Sequence, residues 1–316
     1  MNVLVSSVSR KVSLVQAWAK AAHRTGGKVI TADMNLECPG MFFGDERGRL
    51  PALDADDFMP KLYDICKKHD VQVVVPTRDD EILELSLKKA ELSDLGIRIL
   101  CPSFDTVRLC QDKIKFAIWL KENGFGVAEI YSRWKSDANF PAFVRFRRGN
   151  GSTLARKVND AMECASLTAE WGKDDCLVQE YIKAPEYSVD VFSDQYGKAV
   201  CVVPRRRIQV IGGESYVSKT VDDAWISREA VRLSEKLHLT GHSVLQCFIA
   251  RDSDIYWIEA NPRFGGASAL SLEAGCRSPE WVCDEVDGRS LPDPLVKYDV
   301  GLTMLRYTQD LFVRSQ

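Results

Sequence analysis

Residues 243–263 hold two apolar, β-prone runs separated by a polar turn at residues 251–254. That pattern has few folded solutions other than an antiparallel hairpin. Pairing Arg251 with Asp254 sets Gln246 directly opposite Glu259. Strand side chains alternate faces, so Trp257, Glu259 and Asn261 are expected on one side with Gln246. The set brings a carboxylate and two amide oxygens to one place, with Arg263 two residues beyond. Hard oxygen donors suit magnesium, and a guanidinium suits phosphate. A half-exposed hairpin with polar residues on its wet face would account for any one of these residues. The shared register of the whole set favours a metal and phosphate site.

The first hundred residues alternate short strands and helices. Strands are expected over 3–6, 28–32, 71–75 and 97–100, and helices over 12–23, 57–68 and 81–92. Phe58, Leu62 and Ile65 are spaced for one buried helix face. Repeated βαβ units imply a parallel sheet with right-handed crossovers. This opening is not a dinucleotide site, because the loop at residues 7–11 lacks the glycines that let backbone approach a pyrophosphate. Without them, Asp33 at the end of the second strand does not read as a ribose ligand. Asp79, Asp80 and Glu81 follow the third strand at the sheet edge that ligands favour. Acids there also complement the dipole of a helix start, which is the simpler reading.

Composition excludes several classes. A chain of 316 residues with 45% hydrophobic and 28% charged residues has ordinary globular proportions, long enough for two or three cores. Its net charge of −3 argues against general nucleic-acid binding. No apolar run approaches the roughly 20 residues of a membrane helix, and no charged leader with an apolar core opens the chain. The ten cysteines form no Cys-x-x-Cys pair, and the four histidines show no zinc spacing. Reduced thiols and a cytoplasmic location are the expectation.

After residue 103 the character becomes mixed. Short helices are expected over 106–109 and 112–123, strands over 142–146, 176–181, 187–192, 200–204 and 217–221, and helices over 227–237 and 267–274. Neighbouring strands here are expected to be antiparallel. Arg145 lies on a strand that runs into the basic, glycine-rich loop holding Gly149, Gly151 and Ser152. Successive N–H groups of such a loop can cradle an anion, although a plain hairpin turn has the same composition. Gln179, Glu180, Tyr181 and Ile182 form a strand end that can present main-chain groups to an adenine edge, with Glu186 shortly after for ribose hydroxyls. Lys113, after Asp112, offers another phosphate-reaching cation. Arg205, Arg206 and Arg207 form a basic run that either welcomes a carboxylate substrate or is a solvated edge strand.

In this order, the motifs resemble the ATP-grasp superfamily, and within it the carbamoyl-phosphate-synthase large-subunit-like group with its stand-alone carboxylate–amine ligase relatives. The resemblance spans nearly the whole chain, and its most specific part is Glu259-x-Asn261-Pro-Arg263. It implies an α/β and α+β protein: a Rossmann-like pre-ATP-grasp domain over 1–102, then a two-subdomain ATP-grasp fold over 103–182 and 183–316. It also implies ATP and magnesium, with manganese as an alternative ion. Lys113 and Arg145 would contact phosphates; many family members carry lysine at the latter place. Gly149, Gly151 and Ser152 would close over the phosphates. Gln179 or Glu180, with Tyr181 and Ile182, would form the adenine hinge, and Glu186 would bind ribose. Gln246, Glu259 and Asn261 would hold the metal, and Arg263, with Arg145, would stabilise the transferring phosphoryl group. Arg205, Arg207, Glu214 and Gly266 fall where substrate would lie.

The activity implied is ATP-dependent C–N ligation of small-molecule carboxylate and amine substrates through an acyl phosphate, releasing ADP and phosphate. Two alternatives remain: a carbamoyl- or carboxy-phosphate-forming enzyme using bicarbonate, and a regulatory ATP-binding module without catalysis. No nucleic-acid or membrane partner is expected. Related enzymes are often dimers, so a homodimer is the assembly to test.

Overall fold

The computed structural model describes residues 1–132, 138–149, 155–172, 175–250, 254–293 and 295–314. A five-stranded sheet forms from β1 (Asn2–Ser6), β2 (Val29–Asp33), β3 (Glu46–Arg49), β4 (Val71–Val75) and β5 (Arg98–Ile99), with valine- and isoleucine-bearing β1, β2 and β4 at its centre. Their order is β3-β2-β1-β4-β5, and every pairing is parallel. A parallel sheet must be covered on both faces. Val3, Val5, Val73 and Val75 pack under α1 (Val12–Arg24) on one side. Leu4, Ile30 and Val74 pack against α2 (Phe58–Lys68) on the other, through the predicted Phe58, Leu62 and Ile65. The chain turns opposite ways from β1 to β2 and β4, so a crevice opens at the carboxyl edge of β1 and β4. The helix expected over 81–92 is two helices, α3 (Asp79–Leu87) and α4 (Lys89–Asp94), separated at Lys88.

Helices α5 (Phe104–Gln111) and α6 (Lys113–Glu122) follow. A three-stranded antiparallel sheet comes next: β6 (Ala142–Phe146), β7 (Ala155–Val158) and β8 (Cys176–Glu180), in the order β7-β6-β8. It packs on α7 (Ala161–Trp171) through Val144, Val158, Cys164, Leu167 and Val178.

The largest sheet is antiparallel throughout. It contains β9 (Glu186–Ser193), β10 (Ala199–Ile211), β11 (Glu214–Thr220), β12 (Gly241–Ile249), β13 (Ile255–Asn261) and β14 (Thr303–Leu305), in the order β13-β12-β9-β10-β11-β14. Val189, Val191, Leu245, Cys247 and Trp257 bury one face under α6 and α8 (Ala224–Lys236). Phe192, Cys201 and Val203, on the other face, join a core shared with α1 and α9 (Ser278–Val286). Trp18 of α1 meets Phe264 edge-on at 6.1 Å, tying the parallel sheet to the segment after β13. Among the described residues no helix is long and apolar enough to cross a membrane.

The hairpin keeps its expected register at the site. Gln246 does stand opposite Glu259, but two irregularities produce that pairing. The Ala250 amide donates to the Asp254 carbonyl at 3.0 Å, which shifts the turn from the expected pairing. Arg251 itself lies outside the described residues. A bulge then leaves Ile258 unpaired, with Cys247 facing Trp257 and Gln246 facing Glu259. The expectation for Trp257 is thereby corrected. It turns into the core with Leu245 and Cys247, 2% exposed, instead of sharing the face of Gln246.

Candidate active site

The bulge at Ile258 sends Glu259 and Asn261 off β13 toward the cleft, where Asn261 Nδ2 donates to Glu259 Oε1 at 3.0 Å. The second carboxylate oxygen of Glu259 accepts no hydrogen bond among the described residues. Gln246 Oε1, on the neighbouring strand, accepts from Arg207 Nη1 at 3.0 Å. Among the described residues no group of three or more His, Cys, Asp or Glu side chains could hold a metal ion. The set at hand is one carboxylate and two amides. That matches magnesium, which takes one or two carboxylates and completes its shell with water and phosphate oxygens. It does not match zinc.

Arg263 is held across the molecule. Its Nε and Nη2 fork onto both oxygens of Asp79 at 2.6 and 2.8 Å, Nη1 donates to the Phe264 carbonyl at 3.2 Å, and Nη2 also reaches Asn261 Oδ1 at 3.4 Å. Burial pulls the guanidinium pKa down, but the Asp79 carboxylate outweighs it and raises the net value. Asp79 opens α3, at the carboxyl edge of β4. Its acid therefore anchors an arginine and does more than complement a helix dipole. Asp79→Ala is expected to lower kcat about a hundredfold, because a freed guanidinium loses its alignment. The KM for nucleotide should stay within a few-fold, and Asp79→Glu should recover part of the loss. Equal losses in kcat for the alanine and glutamate variants would contradict a positioning role.

Two further cations lie near Glu259: Lys113 in the wall of the cleft and Arg145 at the neighbouring Ile258 carbonyl. Arg145 donates to Gln179 Oε1 at 2.9 Å and to the bulged Ile258 carbonyl at 3.3 Å. Burial lowers its pKa to about 10, against the pull of Glu259. Lys113 donates to the Gly149 carbonyl at 3.0 Å. Burial lowers its pKa too, again opposed by Glu259. Gly149 sits at φ +93, a backbone region that favours glycine. Gly151 and Ser152 lie outside the described residues. Asp112 fastens the root of this loop: it caps α6 and accepts both Arg147 Nε at 2.9 Å and Nη2 at 2.7 Å. Burial pushes its carboxyl up, but the Arg147 fork and the Lys115 amide outweigh that and bring the pKa to about 2. Together Asp79, Gln111, Lys113, Gly149, Glu259 and Asn261 line a cleft of about 340 Å³.

The expected hinge links the three-stranded and six-stranded sheets. Gln179 is turned inward to Arg145 and is 5% exposed. The Glu180 amide donates to the Glu129 carbonyl at 2.8 Å. Tyr181 packs by Phe143, with the Lys157 ammonium 5.2 Å above its ring. Ile182 is half-buried in the connector before β9. Glu186 opens β9 and accepts Arg207 Nη1 at 2.5 Å through one oxygen. Burial raises its pKa, opposed by Arg207.

The arginine run does not lie on a solvated edge strand: β10 runs between β9 and β11. Arg205 is 3% exposed and donates to Asp190 at 2.6 Å. Glu214 and Gly266 meet through a residue the sequence reasoning missed. Arg306 donates to Glu214 Oε2 at 2.5 Å and to the Gly266 carbonyl. Arg306 follows a strand of three residues and belongs to no motif, so no sequence signal marked it.

Comparison with known proteins gives a consistent picture. Residues 172–308 match the family described as ATP-grasp in the biosynthetic pathway with Ter operon, and residues 3–100 match the PylC-like N-terminal domain. The carbamoyl phosphate synthase large chain of Hyperthermus butylicus is 28% identical over 211 residues, covering 59% of this chain and 20% of that protein. That of Thermotoga neapolitana is 26% identical over 239 residues, covering 66% and 21%. The chain thus spans about a fifth of the length of these curated relatives. Among solved structures, Campylobacter jejuni biotin carboxylase superposes with a TM-score of 0.74 at 15% identity, over 92% of this chain and 72% of that one. Staphylococcus aureus N5-carboxyaminoimidazole synthetase gives 0.72 at 16%, over 92% and 78%. Bacillus licheniformis L-amino acid ligase gives 0.66 at 16%, over 90% and 73%. At these identities the structural likeness speaks for the fold.

Proposed function

The chain belongs to the ATP-grasp superfamily, in its carbamoyl-phosphate-synthase-like carboxylate–amine ligase group, and on that premise we propose that it joins a small-molecule carboxylate to an amine through an acyl phosphate, consuming ATP as a substrate. The observation that carries the reading is that Lys113, Glu259 and Asn261 line one cleft with Asp79, which grips Arg263, while Arg145 reaches the Ile258 carbonyl next to Glu259.

In this reading Lys113, Arg145 and the loop from Gly149 through Gly151 and Ser152 bind the phosphates. Glu180, Tyr181 and Ile182 receive the adenine. The second oxygen of Glu186, which accepts no hydrogen bond among the described residues, takes ribose hydroxyls. Gln246, Glu259 and Asn261 would hold magnesium, whose contribution when bound is to offset negative charge between the β- and γ-phosphates. A carboxylate oxygen of the acid attacks the γ-phosphorus, and the bond to the ADP oxygen breaks. Arg263, already aligned by Asp79, donates to the phosphoryl oxygens as their charge is redistributed. The amine nitrogen then attacks the acyl carbon, the C–O bond to phosphate breaks, and the nitrogen loses a proton. Positioning and fixed charge carry the rate, so no nucleophile with a paired base is required.

The test is ADP release across a panel of carboxylates and amines, with each omitted in turn. Release that needs both supports the reading, and release indifferent to both refutes it. A second reading, with bicarbonate as the acid, is favoured by the names of the curated relatives. Bicarbonate alone supporting ADP release would select it.

A further inference from the structure

Asp190, His242 and Ser268 form a buried charged network that touches none of the reacting groups named above. His242 Nε2 donates to Asp190 Oδ1 at 3.0 Å and lies 3.1 Å from the Ser268 hydroxyl, while Nδ1 donates to the Ser278 hydroxyl at 2.8 Å. Ser268 Oγ donates in turn to Asp190 Oδ1 at 2.5 Å. An acid, an imidazole and a hydroxyl in contact could activate a nucleophile. All three are 2% exposed or less, so no substrate reaches Ser268. The network instead meets the segment after Arg263. The His242 ring stacks on Phe264, with centroids 4.1 Å apart and planes 9° from parallel. The Ser268 hydroxyl accepts the Gly265 amide at 2.8 Å. Between these two anchors the Phe264 carbonyl accepts Arg263 Nη1 at 3.2 Å. Arg263 thus has two supports, because Asp79 holds its Nε and Nη2 from α3.

The charge on His242 strengthens the second support. A cation over a phenyl face is attracted by the ring quadrupole, and only the imidazolium donates from both ring nitrogens. Burial disfavours that charge, but Asp190 outweighs it and raises the imidazole pKa to about 9, so it is protonated at neutral pH. The other ionisable groups about the ring are Arg205 on β10 and Cys276 before α9. Arg205 donates to the other oxygen of Asp190 at 2.6 Å, and the Cys276 sulfur lies 3.2 Å from the Ser278 hydroxyl. The Cys201 side chain and burial raise the Cys276 pKa well above its ordinary value, so the thiol stays neutral.

Resting on the ligase reading above, we propose that the His242 imidazolium and Ser268 are positioning residues for Arg263: they fix Phe264 and Gly265, and the Phe264 carbonyl fixes the guanidinium. Two readouts on the full chain test it. The first is the hydrogen-exchange rate of the Arg263 Nε proton, followed by NMR and identified by its absence in Arg263→Lys. It is expected to rise about tenfold in His242→Asn and in Ser268→Ala. The second is ADP release with the acid and amine that support it. Each variant is expected to lose about tenfold in kcat at pH 7 with the KM for ATP unchanged, and to cost nothing further in the Arg263→Lys background. The ratio of native to His242→Asn turnover should close as pH rises through about 9, where the native ring loses its proton. A packing role alone would leave that ratio constant. Native exchange rates in both variants, or an undiminished loss in the Arg263→Lys background, would overturn the positioning role. Faster exchange in both variants, with no ADP release or with turnover indifferent to Arg263→Ala, would refute the ligase reading and leave the positioning standing. Turnover that needs Arg263 but neither His242 nor Ser268 would do the reverse.

Discussion

Arg263→Ala is expected to lower the turnover number for ADP formation about a thousandfold, the upper end for losing one preorganised donor to a developing anion. The geometry accounts for the size. The guanidinium is gripped by both oxygens of Asp79 and by the Phe264 carbonyl. Phe264 is itself clamped, stacked on His242 at 4.1 Å and met edge-on by Trp18. A donor fixed this firmly pays little reorganisation when phosphoryl charge shifts. Arg263→Lys keeps the charge but not the planar fork, so it should remain severely impaired. Steady-state ADP release, with urea unfolding as a folding control, measures both. Turnover close to the native rate in a folded alanine variant would remove Arg263 from the chemistry.

Asp190→Ala is expected to lower unfolding free energy by about 3–5 kcal/mol, the range for removing one partner of a buried ion pair. That is a large share of a typical 5–15 kcal/mol. Asp190 is 0% exposed and accepts from Arg205, His242 and Ser268, so its loss leaves two buried cations without their shared anion. Burial pushes the Asp190 carboxyl up, but Arg205 and His242 overcome it and hold it well below the usual carboxylate range. Its contribution is therefore lost only in strong acid. His242 runs the other way. Its folded pKa is raised from 6.5 to about 9, so its stabilisation is full below 6.5 and is lost as pH rises through about 9. Urea midpoints should fall across that window in the native chain and fall less in His242→Asn. A flat profile over the same window would contradict the charged network.

The fold was legible where the local pattern and the final environment agree. The parallel sheet follows from valine-rich runs buried on both faces, such as Val71–Val75. β3 was not legible, because Glu46–Arg49 is a polar sheet edge with no apolar run to mark it. β10 was read only as far as Pro204 because its continuation is an arginine run. Those arginines enter a sheet only because Asp190 and Glu186 lie on the next strand. At the site, the Gln246–Glu259 register was read correctly through two offsetting irregularities. A strict alternation could not foresee the Ile258 bulge, and it misplaced Trp257. Asp79 was visible as an acid at a ligand-facing edge, but its partner lies 184 residues away. Pairings at that range are products of tertiary structure, and no local periodicity encodes them. The same holds for Arg306 and its contact with Gly266, 40 residues distant.

The central claim is that a carboxylate oxygen ends on the phosphorus. It is tested most directly by isotope transfer. The carboxylate that supports amine-dependent ADP release is labelled with heavy oxygen, and the phosphate formed is analysed by mass. The acyl-phosphate route predicts one labelled oxygen in each phosphate released, because the C–O bond breaks when the amine attacks. Unlabelled phosphate accompanying amide formation would contradict that route.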